Sequence, residues 1–203
     1  MKLTSSLIYE ATLDDQLFAE LPVMVAAAFE ARSCVFHWRD QTGAAEISTH
    51  SGYFSDDQMA DYATNFAEHD LWTSAGMARG FANKAWKTSD LVPNDQYESS
   101  IFYNEWIRSM GDDTYYCCGS VMRTAHGDGI IGLHRGRTGG DFSDRALRDL
   151  SRQVEHLRRM FAIRGRTANL ASRNNLLQEI FATGPQAAIL VARNCFTSPT
   201  TSS

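Results

Sequence analysis

Apolar residues recur four apart from Asp14 to Ala31, at Leu17, Leu21, Val25 and Phe29, which is the stripe of an amphipathic helix that Pro22 would bend or divide. The period then changes. Cys34 to Trp38 predicts a strand, Gln41-Thr42-Gly43 a turn and Glu46 to His50 an antiparallel return. Ser55 followed by Asp56 and Asp57 is a capped helix start, with Phe54 and Met59 as its hydrophobic staple, so a second helix is expected over 56–69. An irregular connection is expected from Thr73 to Pro93, with Trp86 in a short extended piece. A helix is predicted from Asp95 to Met110, closed by Gly111.

Thr114 to Arg123 and Ile130 to Arg135 form a predicted hairpin around the turn Ala125 to Gly129, and bulky residues on both faces imply a sheet covered on each side. From Ser143 to about Thr183 a long helix is expected, capped by Ser143 with Phe142 and Leu147 as staple. Leu147, Leu150, Val154, Leu157 and Phe161 form a three-four seam, either of a coiled coil or of a helix lying on a sheet. Arg164-Gly165-Arg166 interrupts that seam. Ala187 to Val191 predicts one strand before a Ser/Thr-rich end. The order of elements gives an α+β domain on a central antiparallel sheet flanked by helices, PAS/GAF-like in class, with a long C-terminal helix. Residues 1–142 form the expected domain, 143–183 a signalling and dimerisation helix that closes it, and 184–203 a remnant strand and tail.

Composition adds constraints. With 203 residues, 43% hydrophobic and 21% charged, the chain matches an ordinary soluble globular protein. Its longest apolar run, Leu21 to Phe29, is too short to cross a bilayer and follows no basic leader, so a cytoplasmic location without membrane contact is expected. The net charge of -5 is uneven: residues 1–140 carry 10 basic and 19 acidic side chains, while residues 141–173 carry 8 and 4. Such an acidic body disfavours direct DNA binding. The arginines of the basic helix are spread around it, with Asp144, Asp149 and Glu155 placed to pair with some of them, which suits a solvated face.

Candidate chemistry is sparse. Gly127-x-Gly129-x-x-Gly132 matches a dinucleotide fingerprint, but a strand follows it where a helix is required, so the glycines belong to the hairpin. Gly136 to Gly140 lacks a P-loop lysine. Cys117 and Cys118, adjacent on a strand, point to opposite faces and do not chelate together; buried apolar filler is their plainer role. His126 and His134 have no ligand partners at metal-binding spacing, so no metal and no cofactor is expected. His69 and Asp70 diverge by about 100° on a helix, which argues against a triad. Asp70 then either ends its helix by bonding a loop amide or accepts a hydrogen bond from a ligand, with Tyr62 and Phe66 upstream of it and Trp72 just after it.

Three pieces of sequence carry a resemblance. They are Tyr62 to Trp72, ending His69-Asp70-Leu71-Trp72; Phe102-Tyr103-Asn104-Glu105-Trp106 with Met110-Gly111; and Gly132-Leu133-His134-Arg135 followed by Asp141-Phe142-Ser143. Over residues 10–165 the chain resembles the N-terminal sensor region of LuxR-type bacterial transcriptional regulators. The resemblance implies a small organic ligand between sheet and helices. In the quorum-sensing branch an aspartate binds the amide N–H of an acyl-homoserine lactone, and tryptophan and tyrosine bind its carbonyls. Asp70 falls at that aspartate and Trp86 near the later tryptophan, whereas Asp57 and Asp61 stand where the aromatic contacts would lie and Tyr62 is one position off. A lactone ligand is therefore not implied.

The expected site comprises Tyr62, Phe66, Asp70, Trp72, Trp86, Tyr103, Cys118 and Ser120, with Leu147, Leu150, Val154, Leu157 and Phe161 pairing two copies as a homodimer. Such regulators end in a helix-turn-helix domain, and nothing after Val191 supplies one. Gln186 to Asn194 resembles the first strand of a second PAS-like segment. The expected function is that of a bacterial ligand sensor in transcription regulation, and no enzyme. The alternative is a ligand-independent protein that heterodimerises with full-length regulators.

Overall fold

The computed structural model describes residues 3–42, 46–79 and 82–183. Five strands form one antiparallel sheet: β1 (Ser33–Asp40), β2 (Glu46–His50), β3 (Trp86–Lys87), β4 (Thr114–Thr124) and β5 (Gly127–Gly136), in the order β2-β1-β5-β4-β3. The hairpin turn is tighter than the sequence suggested. Thr124 pairs with Gly127, so only Ala125 and His126 turn and the glycines enter β5.

One face of the sheet is covered by α1 (Ser5–Glu10), α2 (Asp15–Ala28) and α6 (Asp144–Thr183). Alternation along β1 sends Cys34, Phe36 and Trp38 into this layer, where all three are fully buried. Rings lock the layer: Phe161 meets Phe18 at 6.2 Å and Phe36 at 5.7 Å, both edge-on. The helix stripe expected on α2 is the buried one, and Pro22 neither divides nor ends that helix. The short α1, capped by Thr4 on the Leu7 amide, had no signal of its own in the pattern.

The seam of α6 takes the helix-on-sheet form. Leu150, Val154, Leu157 and Phe161 are fully buried against the chain's own sheet, and Leu147 packs at the edge of the same core. Leu150, Val154, Leu157 and Phe161 are thus occupied within the chain, which corrects their assignment to a dimer seam, while Leu147 stays partly exposed. The helix also continues through Arg164-Gly165-Arg166. Gly165 is there because Trp38 presses on it: a Cβ would lie 2.3 Å from Trp38 Cζ2. Arg164 reaches back to donate to the carbonyls of Ala11 and Thr12.

The second face carries shorter pieces. The helix expected over 56–69 is α-helical only as α3 (Asp56–Asp61), opened by a capping box of Ser55 and Gln58, then widens into a π-helical turn (Tyr62–Phe66) and tightens into a 3₁₀ turn (Ala67–His69). A helix not foreseen from the sequence, α4 (Leu71–Ala78), follows. The next expected helix divides into α5 (Asn94–Glu98), a second π-helical turn (Phe102–Ile107) and a 3₁₀ turn (Arg108–Met110). Two serines stand at the division: Ser99 Oγ donates to the Asp95 carbonyl and Ser100 Oγ to that of Tyr97, each beside the backbone amide of the same serine. The strand expected over 187–191 lies outside the described residues. No helix among the described residues is long and apolar enough to cross a membrane.

Candidate ligand site

Between the second face and its helical pieces lies a cavity of about 320 Å³, within the size range of small-molecule pockets. Its sheet wall is Val35, His37 and Arg39 on β1, Cys117 on β4, and Gly132 and His134 on β5. Opposite stand Met59 and Tyr62 of the first helical piece, Asp70, Trp72 and Thr73 at the start of α4, and Phe102 and Trp106 of the second π-helical turn. Aromatic contacts hold these together. Phe102 stacks on Trp106 at 5.3 Å, Tyr62 tilts against Trp106 at 5.0 Å, and Trp72 lies parallel to the His134 ring at 5.8 Å. Arg39 and Glu46, both largely exposed, lie at the outer edge of the lining.

Asp70 is the N-cap of α4 and is 6% exposed. Its Oδ1 accepts the backbone amides of Trp72 (2.8 Å) and Thr73 (3.2 Å); its Oδ2 accepts the Tyr62 hydroxyl and the Thr73 hydroxyl, each at 2.8 Å. A carboxylate offers about four acceptor positions, so the protein itself fills them. Burial, and then the Asp70 charge, push the Tyr62 phenol up, which keeps it a donor. Of the two roles left open for Asp70, the cap and loop bond is the one observed. It shapes the wall of the cavity.

His134 lies at the floor, with Nδ1 2.8 Å from Ser33 Oγ. Burial lowers its pKa to about 4, so the ring is neutral at pH 7. Burial pushes the Cys34 and Cys117 thiols well up and that of Cys118 to about 12, so none is poised as a thiolate nucleophile. No cluster of three or more His, Cys, Asp or Glu suited to a metal occurs among the described residues.

Of the eight expected site residues, Tyr62, Asp70, Trp72 and Trp86 line the cavity. The other four do not. Phe66 is half-buried at the edge of the aromatic cluster, and Tyr103 packs between Tyr97 (4.7 Å) and Tyr115 (6.1 Å), away from the cavity. Cys118 belongs to the α6 core, and Ser120 is buried without facing the cavity. A bulge between Thr114 and Tyr116 shifts the alternation of β4, so Thr114 and then Cys117 face the cavity instead. Trp106 and His134 stood in the motifs that carried the resemblance; only their facing was missing from the pattern. Trp86 is held flat between two layers, since a Cβ at Gly76 would lie 2.3 Å from its Cζ2 and one at Gly119 would lie 3.3 Å from its Cη2.

Among the residues of this lining, the buried indole groups Trp86 Nε1 and Trp106 Nε1 have no hydrogen-bond partner among the described residues, and His37 Nε2 lies 2.7 Å from Glu46 Oε1. Leaving a buried N–H unpaired costs about 1–3 kcal/mol.

No protein-family model matches the chain, and no curated protein does. Solved structures do. The fold is similar to that of the VqsR LBD (ligand-binding) domain from Pseudomonas aeruginosa, with a TM-score of 0.55 at 10% identity, covering 77% of this chain and 91% of that one. A GAF domain/HD domain protein from Geobacter sulfurreducens matches with a TM-score of 0.43 at 15% identity, covering 75% and 97%. The shared fold is a five-stranded antiparallel sheet with flanking helices and a long C-terminal helix.

Proposed function

We propose that the chain is a sensor module that takes a small organic molecule into the cavity on the second face and signals through α6 on the first. The observation that carries this reading is the cavity itself: about 320 Å³, walled largely by aromatic side chains. The fold shared with the VqsR LBD domain supports it. Binding suffices; no catalytic step is invoked, since the thiols are held protonated and His69 is exposed while Asp70 is buried.

Adjacent residues of β4 connect the two faces, Cys117 toward the cavity and Cys118 toward the α6 core. Displacement of β4 by a ligand would therefore press on Leu150, Val154 and Leu157. Native mass spectrometry of the purified protein and of a Val35→Trp variant tests the proposal. A retained small molecule on the first and none on the second is expected; equal retention by both would place the ligand elsewhere.

A second reading, an interaction protein that pairs with longer relatives, is favoured by one observation. Ile163, Leu170 and Leu176 on the distal part of α6 are about half exposed or more. Co-purification with a longer homologue that is lost in a Leu170→Glu, Leu176→Glu variant would support it, and a strictly monomeric chain at high concentration would not.

A further inference from the structure

The outward face of α6 carries a second stripe. Phe161 and Ile163 diverge by about 200° on a helix, so Ile163 points away from the sheet that buries Phe161, and it is 47% exposed. From there Ile163, Thr167, Leu170, Asn174, Leu177 and Phe181 follow four-three spacing toward the end of the helix at Thr183. Leu170 is 58% exposed, and the Thr167 hydroxyl donates to the Ile163 carbonyl, so it asks for no further acceptor. Met160, one step upstream on the same line, is fully buried in the chain's own core. The stripe therefore begins where the body's grip on α6 ends. Beyond Ala168, which still packs against that core, the helix runs on through Asn169, Ser172, Asn174 and Asn175, all poor helix formers. Packing of an apolar face is what chiefly holds such a segment helical.

Two features point to a second copy as the cover. Written as heptads, Leu170 and Leu177 take d and Asn174 takes the a between them; a lone asparagine in a seam pairs with its own counterpart and fixes register and a two-stranded state. Arg166 and Arg173 take g. Antiparallel pairing would set g against g, arginine on arginine, whereas parallel pairing sets each g against the following e, where Ala171 and Gln178 stand. Arg164, the e residue before them, is turned inward to the carbonyls of Ala11 and Thr12. The neighbouring line through Leu176 runs over Asn169 and Arg173, which would place a charge in the seam.

We propose that the distal half of α6 pairs with that of a second copy as a parallel, in-register coiled coil along the Ile163 to Phe181 stripe, with Asn174 bonded to its counterpart. The stripe lies opposite the sheet-facing seam, so the two bodies stand on either side of the pair. No ligand is needed for this, and the proposal stands apart from the sensor reading.

Sedimentation of the full chain should give the mass of two chains. Leu170→Glu with Leu177→Glu should give that of one, with the near-ultraviolet signal of the buried aromatics unchanged, because both positions lie beyond the packed part of α6. In a Cys195→Ser background, Asn174→Cys should close a disulfide between copies under mild oxidation, since a parallel pair brings equivalent a residues within disulfide reach. Asn175→Cys, one position round the helix, should not. Asn174→Leu should tighten the association and admit species larger than two, as removal of a polar seam residue does.

A single-chain mass at high concentration would overturn the proposal, as would a two-chain mass that survives the double glutamate variant, or equal linkage from both cysteine variants. Pairing that emerges only after residues 184–203 are removed would also overturn it, with the chain's own tail as the cover. Capture of a longer relative by a chain that stays single on its own would overturn it in favour of the interaction reading. None of these outcomes bears on the cavity, so the sensor reading stands or falls separately.

Discussion

The two faces of one sheet are built from the same strands and end differently. On the first, α2 and α6 are regular α-helices, and Phe161, Phe36 and Trp38 lie fully buried in the core they share with the sheet. On the second, two π-helical turns and several short helices cover the strands, and about 320 Å³ stays open. A regular helix presents ridges that fill the grooves of its neighbour, whereas a π-turn widens the backbone and is frequent at functional sites. Both faces use a glycine to admit a tryptophan, Gly165 for Trp38 and Gly76 for Trp86. Close glycine–tryptophan packing is common to both, and the hollow belongs to the irregular cover.

The contrast can be tested by substitution. Phe161→Ala on the filled face should cost about 3–5 kcal/mol in denaturant unfolding, the usual loss for a fully buried phenylalanine. Asp70→Ala on the hollow face should cost about 3 kcal/mol, because it removes a cap and strands two hydroxyls. Asp70→Asn should recover part of that by keeping Oδ1. A loss under about 1 kcal/mol for Asp70→Ala would mean that the bonds around it are not structural.

His134 sharpens the comparison through pH. Its folded pKa of about 4 lies below the ordinary histidine value of 6.5, so between these limits the unfolded chain binds a proton that the folded chain does not. Stability is intact above pH 6.5 and falls as pH drops toward 4, by up to about 3 kcal/mol. Asp112, whose charge opposes the shift, moderates it. Unfolding curves for His134→Gln should lack this part of the slope, and an unchanged slope would show that the ring is solvated. The smallest effect is the most diagnostic: Val25→Phe on the filled face should cost about 1–3 kcal/mol from overpacking, whereas Val35→Phe, pointing into the hollow, should cost less than about 1. Matching costs would mean the hollow is not there.

How much of this was legible depends on periodicity. The hairpin Ser33 to His50, the paired long strands and the seam of α6 all follow from simple alternation or three-four spacing. The helix Leu71–Ala78 was not, because LWTSAGMA has no stripe and depends on the Asp70 cap and on Trp72 and Gly76 being buried. The phase of β4 was lost to a one-residue bulge, which moved the cavity position from Cys118 to Cys117. Asp70 was found by position with its amide-bonding role as one of two open readings, and the choice between them was not legible because its four partners come together only in three dimensions. Four of the five seam residues, Leu150, Val154, Leu157 and Phe161, face the sheet where a second helix was expected, because a sheet and a second helix demand the same spacing.

The account turns on the second face admitting a small molecule while the first does not. The side-chain indole N–H signals of the four tryptophans report on both: Trp72, Trp86 and Trp106 line the cavity, and Trp38 lies in the α6 core. Titration of ¹⁵N-labelled protein with n-pentylbenzene should move the first three signals and leave that of Trp38 in place. Four unmoved signals, or Trp38 shifting with the rest, would contradict it.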